Sequence, residues 1–232
     1  MIKVAHLYYD LLNLYGEQGN VLAIKKFFQN QNIEIEIDYF TINDKIDFKQ
    51  YDLIYLGSGS DENLFIALED IKKYKKEIKK YIENDKYLIA TGNSYLLFGK
   101  SIDDIDALNI FDYYAKTSSE RLRSHSFMKY NDLSPIIGFQ NRKYIVQIKE
   151  NHLFKVISGN ADNLKSEYEG YHYKNFIGTY LIGPLLIRNP HFTDLIISDL
   201  TTKNNYKYHI DMNTYEYKAY YEYLKNFYDQ KS

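Results

Sequence analysis

The chain has 232 residues, a formal net charge of −2, 45% hydrophobic residues and no cysteine. This is enough for one domain, residues 1–232, with a sizeable buried core, and the near-neutral balance gives no reason to expect nucleic acid or an anionic membrane as partner. The absent thiols exclude disulfides, thiolate metal sites and a cysteine nucleophile, and the many tyrosines go with a general skew toward Lys, Asn, Ile and Phe, not with a base-stacking surface.

Residues 2–8 form a short apolar run of the buried-strand kind, without the shape of a signal peptide, so a cytoplasmic location is expected. A glycine-bearing loop over 15–20 follows. Val21, Leu22, Ile24, Lys25 and Phe28 then fit a helix with Asn20 as its N-cap. Residues 33–40 alternate as a half-exposed strand. Residues 52–56 are a buried strand that runs into Gly57-Ser58-Gly59-Ser60-Asp61. One long amphipathic helix is predicted over roughly 62–84. Its lysines over 72–80 stand among Glu69, Asp70 and Glu77, as on a solvated face.

The next strand, 87–90, ends at Thr91-Gly92-Asn93-Ser94, and a short helix carries residues 95–98. Four short strand-like runs (126–129, 136–139, 144–148 and 153–157) suit an antiparallel extension of the sheet. Residues 176–200 read as strand, turn and helix. The helix over 214–229 presents Tyr217, Tyr220, Tyr221, Leu224 and Tyr228 at helical spacing, for the core or for a partner. No stretch reaches the roughly 18 apolar residues of a membrane span.

The alternation of strands and helices predicts an α/β fold, with a parallel sheet covered on both faces. Ligands collect at the carboxyl ends of such strands, where the loops 57–61 and 91–94 lie. Neither loop is a P-loop or a GxGxxG turn. His6, Asp10, Glu150 and His152 lack metal-ligand spacing, and no metal or other cofactor is expected.

Several runs together resemble the cobyric-acid-synthase-like glutamine amidotransferases, and among them the GatD-type glutaminase subunits of lipid II isoglutaminyl synthase. His6-Leu7-Tyr8-Tyr9-Asp10-Leu11-Leu12-Asn13-Leu14-Tyr15-Gly16-Glu17-Gln18-Gly19-Asn20 is similar to the family's HLYPDLLNLYGDRGN. Residues 57–61 stand against GGGQD, and Glu150-Asn151-His152 against FENH. Glu169-Gly170 with Tyr173-Lys174-Asn175 stands against EGxxYKN. Gly178-Thr179-Tyr180-Leu181-Ile182-Gly183-Pro184 stands against GTYLHGP. The matches are collinear and span nearly the whole chain. The resemblance implies a three-layer class I glutamine amidotransferase-like (flavodoxin-like) fold, mainly parallel with an antiparallel extension.

Such enzymes place a cysteine on a sharp strand-to-helix turn, activate it with a histidine and receive the oxyanion on backbone N–H groups. The family turn CGGYQLLG is here Gly92-Asn93-Ser94-Tyr95-Leu96-Leu97-Phe98-Gly99, so Gly92 stands at the cysteine and Leu96 at the glutamine. Ile182 stands at the histidine. Ser58, Asn93 and Ser94 replace family glycines and would crowd the substrate amide. By this resemblance the chain is a pseudo-glutaminase subunit for a Mur-ligase-like (MurT-like) partner in the amidation of the peptidoglycan precursor lipid II. Its residual pocket is expected around Gly57, Gly59, Asp61, Asn93, Ser94, Tyr95, Arg121, Glu150, Asn151 and His152, with Arg121 on the surface near the lost nucleophile. One alternative is a non-catalytic module that binds a glutamine- or glutamate-like molecule. Another is a new hydrolase activity on Ser94, Asp61 or Arg121, although Gly92-Asn93-Ser94 supplies only the first glycine of GxSxG.

Overall fold

Apolar residues on both faces of the first strands draw helices to both sides of the sheet. In the computed structural model, which describes residues 1–133 and 135–229, the elements run β1 (Ile2–Leu7), α1 (Gln18–Asn30), β2 (Ile35–Phe40), β3 (Leu53–Leu56), α2 (Asp61–Ile71), α3 (Lys75–Glu83), β4 (Tyr87–Thr91), β5 (Ser101–Ile102) and β6 (Ile105–Asp106). They continue as β7 (Tyr114–Lys129), β8 (Ile136–Gln147), β9 (His152–Ser158), β10 (Tyr168–Tyr173), β11 (Phe176–Thr179), α4 (Leu185–Arg188), α5 (Pro190–Lys203) and α6 (Tyr215–Asp229). The sheet order is β2-β1-β3-β4-β11-β10-β9-β7-β5-β6, with β8 paired to β7. From β2 to β11 the neighbours are parallel. From β11 through β10, β9, β7 and β8 they are antiparallel.

The strand period of two splits the core into two layers. Ala5, Leu7, Ile54, Leu56, Leu88 and Ala90 face α2 and α3, where Leu64, Leu68, Ile71, Ile78 and Ile82 are buried. Ile2, Val4, Leu53, Tyr55 and Ile89 face α1 and α5, where Val21, Ile24, Phe28, Phe192 and Ile196 are buried. This is the predicted three-layer α/β architecture. Among the described residues no helix is long and apolar enough to cross a membrane.

Four local expectations are corrected. The helix over 62–84 is two helices broken by a 3-10 turn at Lys72–Tyr74, where the Tyr74 hydroxyl donates to the Asp44 carbonyl at 2.7 Å. Asn20 is not an N-cap. The helix begins at Gln18, whose N–H donates to Asn13 Oδ1 at 2.9 Å, and Asn20 is fully buried in the first turn, with its Oδ1 accepting from Leu186 N at 2.7 Å. The short runs at 136–139 and 144–148 belong to one strand, β8. β7 is one 16-residue strand that begins before 126. Its first part is exposed and polar, so it gives no apolar alternation to read.

Candidate functional site

The carboxyl ends of β3 and β4 come together as expected. β4 hands the chain to Gly92 at φ +63°, the left-handed region that favours glycine, and a 3-10 helix starts there. The loop after β3 faces this turn. A Cβ built on Gly92 would lie 2.3 Å from both Ser58 Cβ and Oγ, and 3.1 Å from Ile182 Cγ2. The space of an elbow side chain is therefore taken by Ser58, with Ile182 beside it.

Asn93 ties the two loops together. Its Nδ2 donates to the Gly59 carbonyl at 2.8 Å, and its Oδ1 accepts from Gly59 N at 3.0 Å and from Ser58 Oγ at 3.2 Å. One loop N–H that could receive an oxyanion is thus already engaged. Ser94 is fully buried, and its hydroxyl meets the Thr91 and Leu56 carbonyls at 3.0 and 3.2 Å. It is a turn-stabilising group, not an exposed nucleophile.

Below the elbow lies a buried acid. Glu17 Oε2 accepts from Thr91 Oγ1, Tyr55 OH and Asn20 Nδ2. Burial pushes its carboxyl up to about 7, against the pull of those three donors. His6, edge-on to the Tyr55 ring at 5.2 Å, is also buried, and desolvation lowers its imidazole to about 4.

Over the elbow is a cavity of about 220 Å³, lined by Ser58, Gly59, Asp61, Gly92, Asn93, Arg121 and Ile182 among others. Of the predicted pocket residues, Gly59, Asp61, Asn93 and Arg121 line it. Gly57, Ser94, Tyr95, Glu150, Asn151 and His152 do not. Gly57 backs onto the Leu12 carbonyl, 2.3 Å from where its Cβ would be. Tyr95 is buried, with its hydroxyl 3.5 Å from Asp162. Glu150 and Asn151 lie between β8 and β9. Asn151 has φ +61° and donates to the Tyr171 hydroxyl at 3.1 Å, and His152 stacks on Tyr168 with ring centres 4.6 Å apart. These three residues shape a turn and do not reach the cavity.

What the cavity contains instead is β8. Asn141, Arg142, Lys143 and Tyr144 line it, as does Tyr180. The signal lay in Phe139-Gln140-Asn141-Arg142, which shares Phe and Asn with FENH. At the mouth, Arg121 Nη1 donates to Asn141 Oδ1 at 3.0 Å, and Asn141 Nδ2 donates to the Tyr15 hydroxyl at 2.8 Å. Lys143 pairs with Asp61 at 3.5 Å. Arg142 is buried, its guanidinium 5.0 Å from the centre of the Tyr180 ring. Behind it, burial pushes the carboxyls of Asp162 and Glu169 upward, against the pull of this guanidinium. Among the described residues no group of three or more His, Cys, Asp or Glu side chains could hold a metal ion.

Residues 3–190 match the CobB/CobQ-like glutamine amidotransferase domain. The chain is 28% identical over 201 residues to the GatD subunit of lipid II isoglutaminyl synthase (glutamine-hydrolyzing) of Staphylococcus aureus strain N315, covering 84% of this chain and 83% of that one. It is 28% identical over 224 residues to the GatD subunit of the same enzyme in Streptococcus pneumoniae, covering 93% and 86%. A glutamine amidotransferase structure from Thermotoga maritima superimposes with a TM-score of 0.51 at 11% identity, over 89% of this chain and 86% of the other.

Proposed function

We propose that this chain, which belongs to the CobB/CobQ-like glutamine amidotransferase family, is an amidotransferase subunit that keeps the scaffold of a glutaminase and does not hydrolyse glutamine. The observation that carries the reading is the filled elbow: Gly92 offers no side chain, and Ser58 stands 2.3 Å from where a Cβ would be. Hydrolysis needs a nucleophile on that turn, a base to activate it and donors for the oxyanion. Gly92 supplies no nucleophile and Ile182 cannot take a proton. Gly59 N–H is bound to Asn93.

The two GatD relatives are subunits of an enzyme that amidates lipid II. Their similarity over most of this chain supports a role beside an ATP-binding, Mur-ligase-like (MurT-like) partner in the cytoplasm. That partner takes free ammonia in place of ammonia released from glutamine. The test is to recover the tagged chain from its native cells with its partner, then to assay the complex with ATP. Ammonium chloride supports amidation of the acceptor, whereas glutamine does not, and glutamate release from glutamine stays at buffer background. Glutaminase turnover above that background, with or without the partner, overturns the reading.

The cavity over the elbow favours one further role for the same fold, a non-catalytic binding site.

A further inference from the structure

We infer that the cavity over the elbow binds a small oxyanion, a carboxylate or a phosphoryl group, with Arg142 at its base. The inference rests on the loss of glutamine hydrolysis only in that it takes the cavity as a binding site. Three cationic side chains, Arg121, Arg142 and Lys143, line the cavity against one carboxylate, Asp61, which is already paired with Lys143. Arg142 is 1% exposed. Its Nη2 donates to the Ala161 carbonyl, while Nε and Nη1 have no partner among the described residues. The buried hydroxyl of Tyr180, beside it, has none either.

A buried guanidinium with unmet donors is expensive unless an anion comes to it. The nearby acids do not fill this role fully. Glu169 spends its oxygens on Thr179 Oγ1 and Tyr180 N, both at 2.7 Å. Asp162 accepts from Gly170 N at 3.0 Å through Oδ1 and leaves Oδ2 without a hydrogen-bond partner among the described residues, but burial holds its carboxyl toward the protonated form against the pull of Arg142. Guanidinium groups hold carboxylate and phosphate oxygens through paired, charge-assisted donors. A neutral amide would leave the excess positive charge of the cavity unanswered.

The test is thermal unfolding of the full chain titrated with sodium L-glutamate, sodium phosphate and the neutral amide propionamide at fixed ionic strength. Glutamate or phosphate raises Tm in a saturable way, and whichever does so identifies the source of the anion. Propionamide, which has no anionic oxygen, leaves it unchanged. Arg142→Gln weakens the anion about tenfold or more, as loss of a charged hydrogen bond does. If that variant fails to fold, Arg121→Gln and Lys143→Gln at the mouth weaken it in the same direction. No saturable shift with either anion, or an equal shift with propionamide, overturns the assignment. A glutaminase assay on the same samples judges the loss of hydrolysis separately, because its outcome does not depend on the Tm series.

Discussion

At the residue scale the elbow is decided by two side chains facing one missing one. Gly92 keeps the positive φ that strains any other residue, and Ser58 occupies the volume its Cβ would need. Gly92→Cys is therefore expected to destabilise the turn. It adds backbone strain of about 1–3 kcal/mol and a clash of similar size. Urea unfolding should show a loss of roughly 2–4 kcal/mol for Gly92→Cys, partly recovered in Gly92→Cys with Ser58→Gly. A single variant as stable as the parent would mean that Ser58 turns away at no cost and that the elbow is open. The family pattern around the elbow was legible because Tyr95, Leu97 and Gly99 keep it. Arg142 was not. The Glu-Asn-His run at 150–152 is the better literal match to FENH, and only strand pairing shows that β8, not the turn after it, lines the cavity.

At the scale of elements, α1, β3 and β4 meet on Glu17, whose three donors come from Asn20, Tyr55 and Thr91. The carboxyl is raised from its usual 4.5 to about 7 by burial. The folded state then holds a proton that the unfolded chain has lost, so this group makes stability fall as pH rises from 4.5 to 7. Two and a half units correspond to about 3 kcal/mol. The difference in stability between Glu17→Gln and the parent should move by about that amount in the variant's favour across the window. His6 acts oppositely, since its lowered value means that stability is lost as pH falls from 6.5 toward 4. Chemical unfolding at a series of pH values measures the difference, and a constant offset for Glu17→Gln would show that Glu17 stays charged in the fold. The parallel half of the sheet was legible because its strands are buried on both faces and bounded by glycine loops. In the antiparallel half the runs in β8 and β9 were legible, but of β7 only its buried end was. Its polar stretch is held as a strand by pairing with β8, through a register shift between Thr117 and Leu122 that no local pattern announces.

At the scale of the whole molecule, the family match ends at residue 190 and the chain continues through α5 and α6. Tyr217 and Tyr220 are buried, while Tyr221 is half exposed and the side chain of Tyr228 lies outside the described residues. Tyr217 donates to Asp194 of α5, Tyr220 donates to the Pro135 carbonyl at 2.6 Å, and Lys26 of α1 pairs with Glu216. Tyr220 also closes a small apolar cluster with Phe127 of β7 and Ile137 of β8. One helix thus ties together α1, α5 and the antiparallel arm. Removing residues 215–232 takes two buried tyrosines from the core, uncovers Phe127 and Ile137, and strips one donor from the Asp194 carboxyl, which burial already pushes upward. The expected cost is at least about 3 kcal/mol by area and hydrogen bonding. Equilibrium urea unfolding of the truncated chain reads it directly. A loss below about 0.5 kcal/mol would mean that α6 adds nothing to the fold, and its tyrosine face would then be the place to look for the partner. A large loss makes α6 part of the scaffold, with Tyr217 and Tyr220 serving the core.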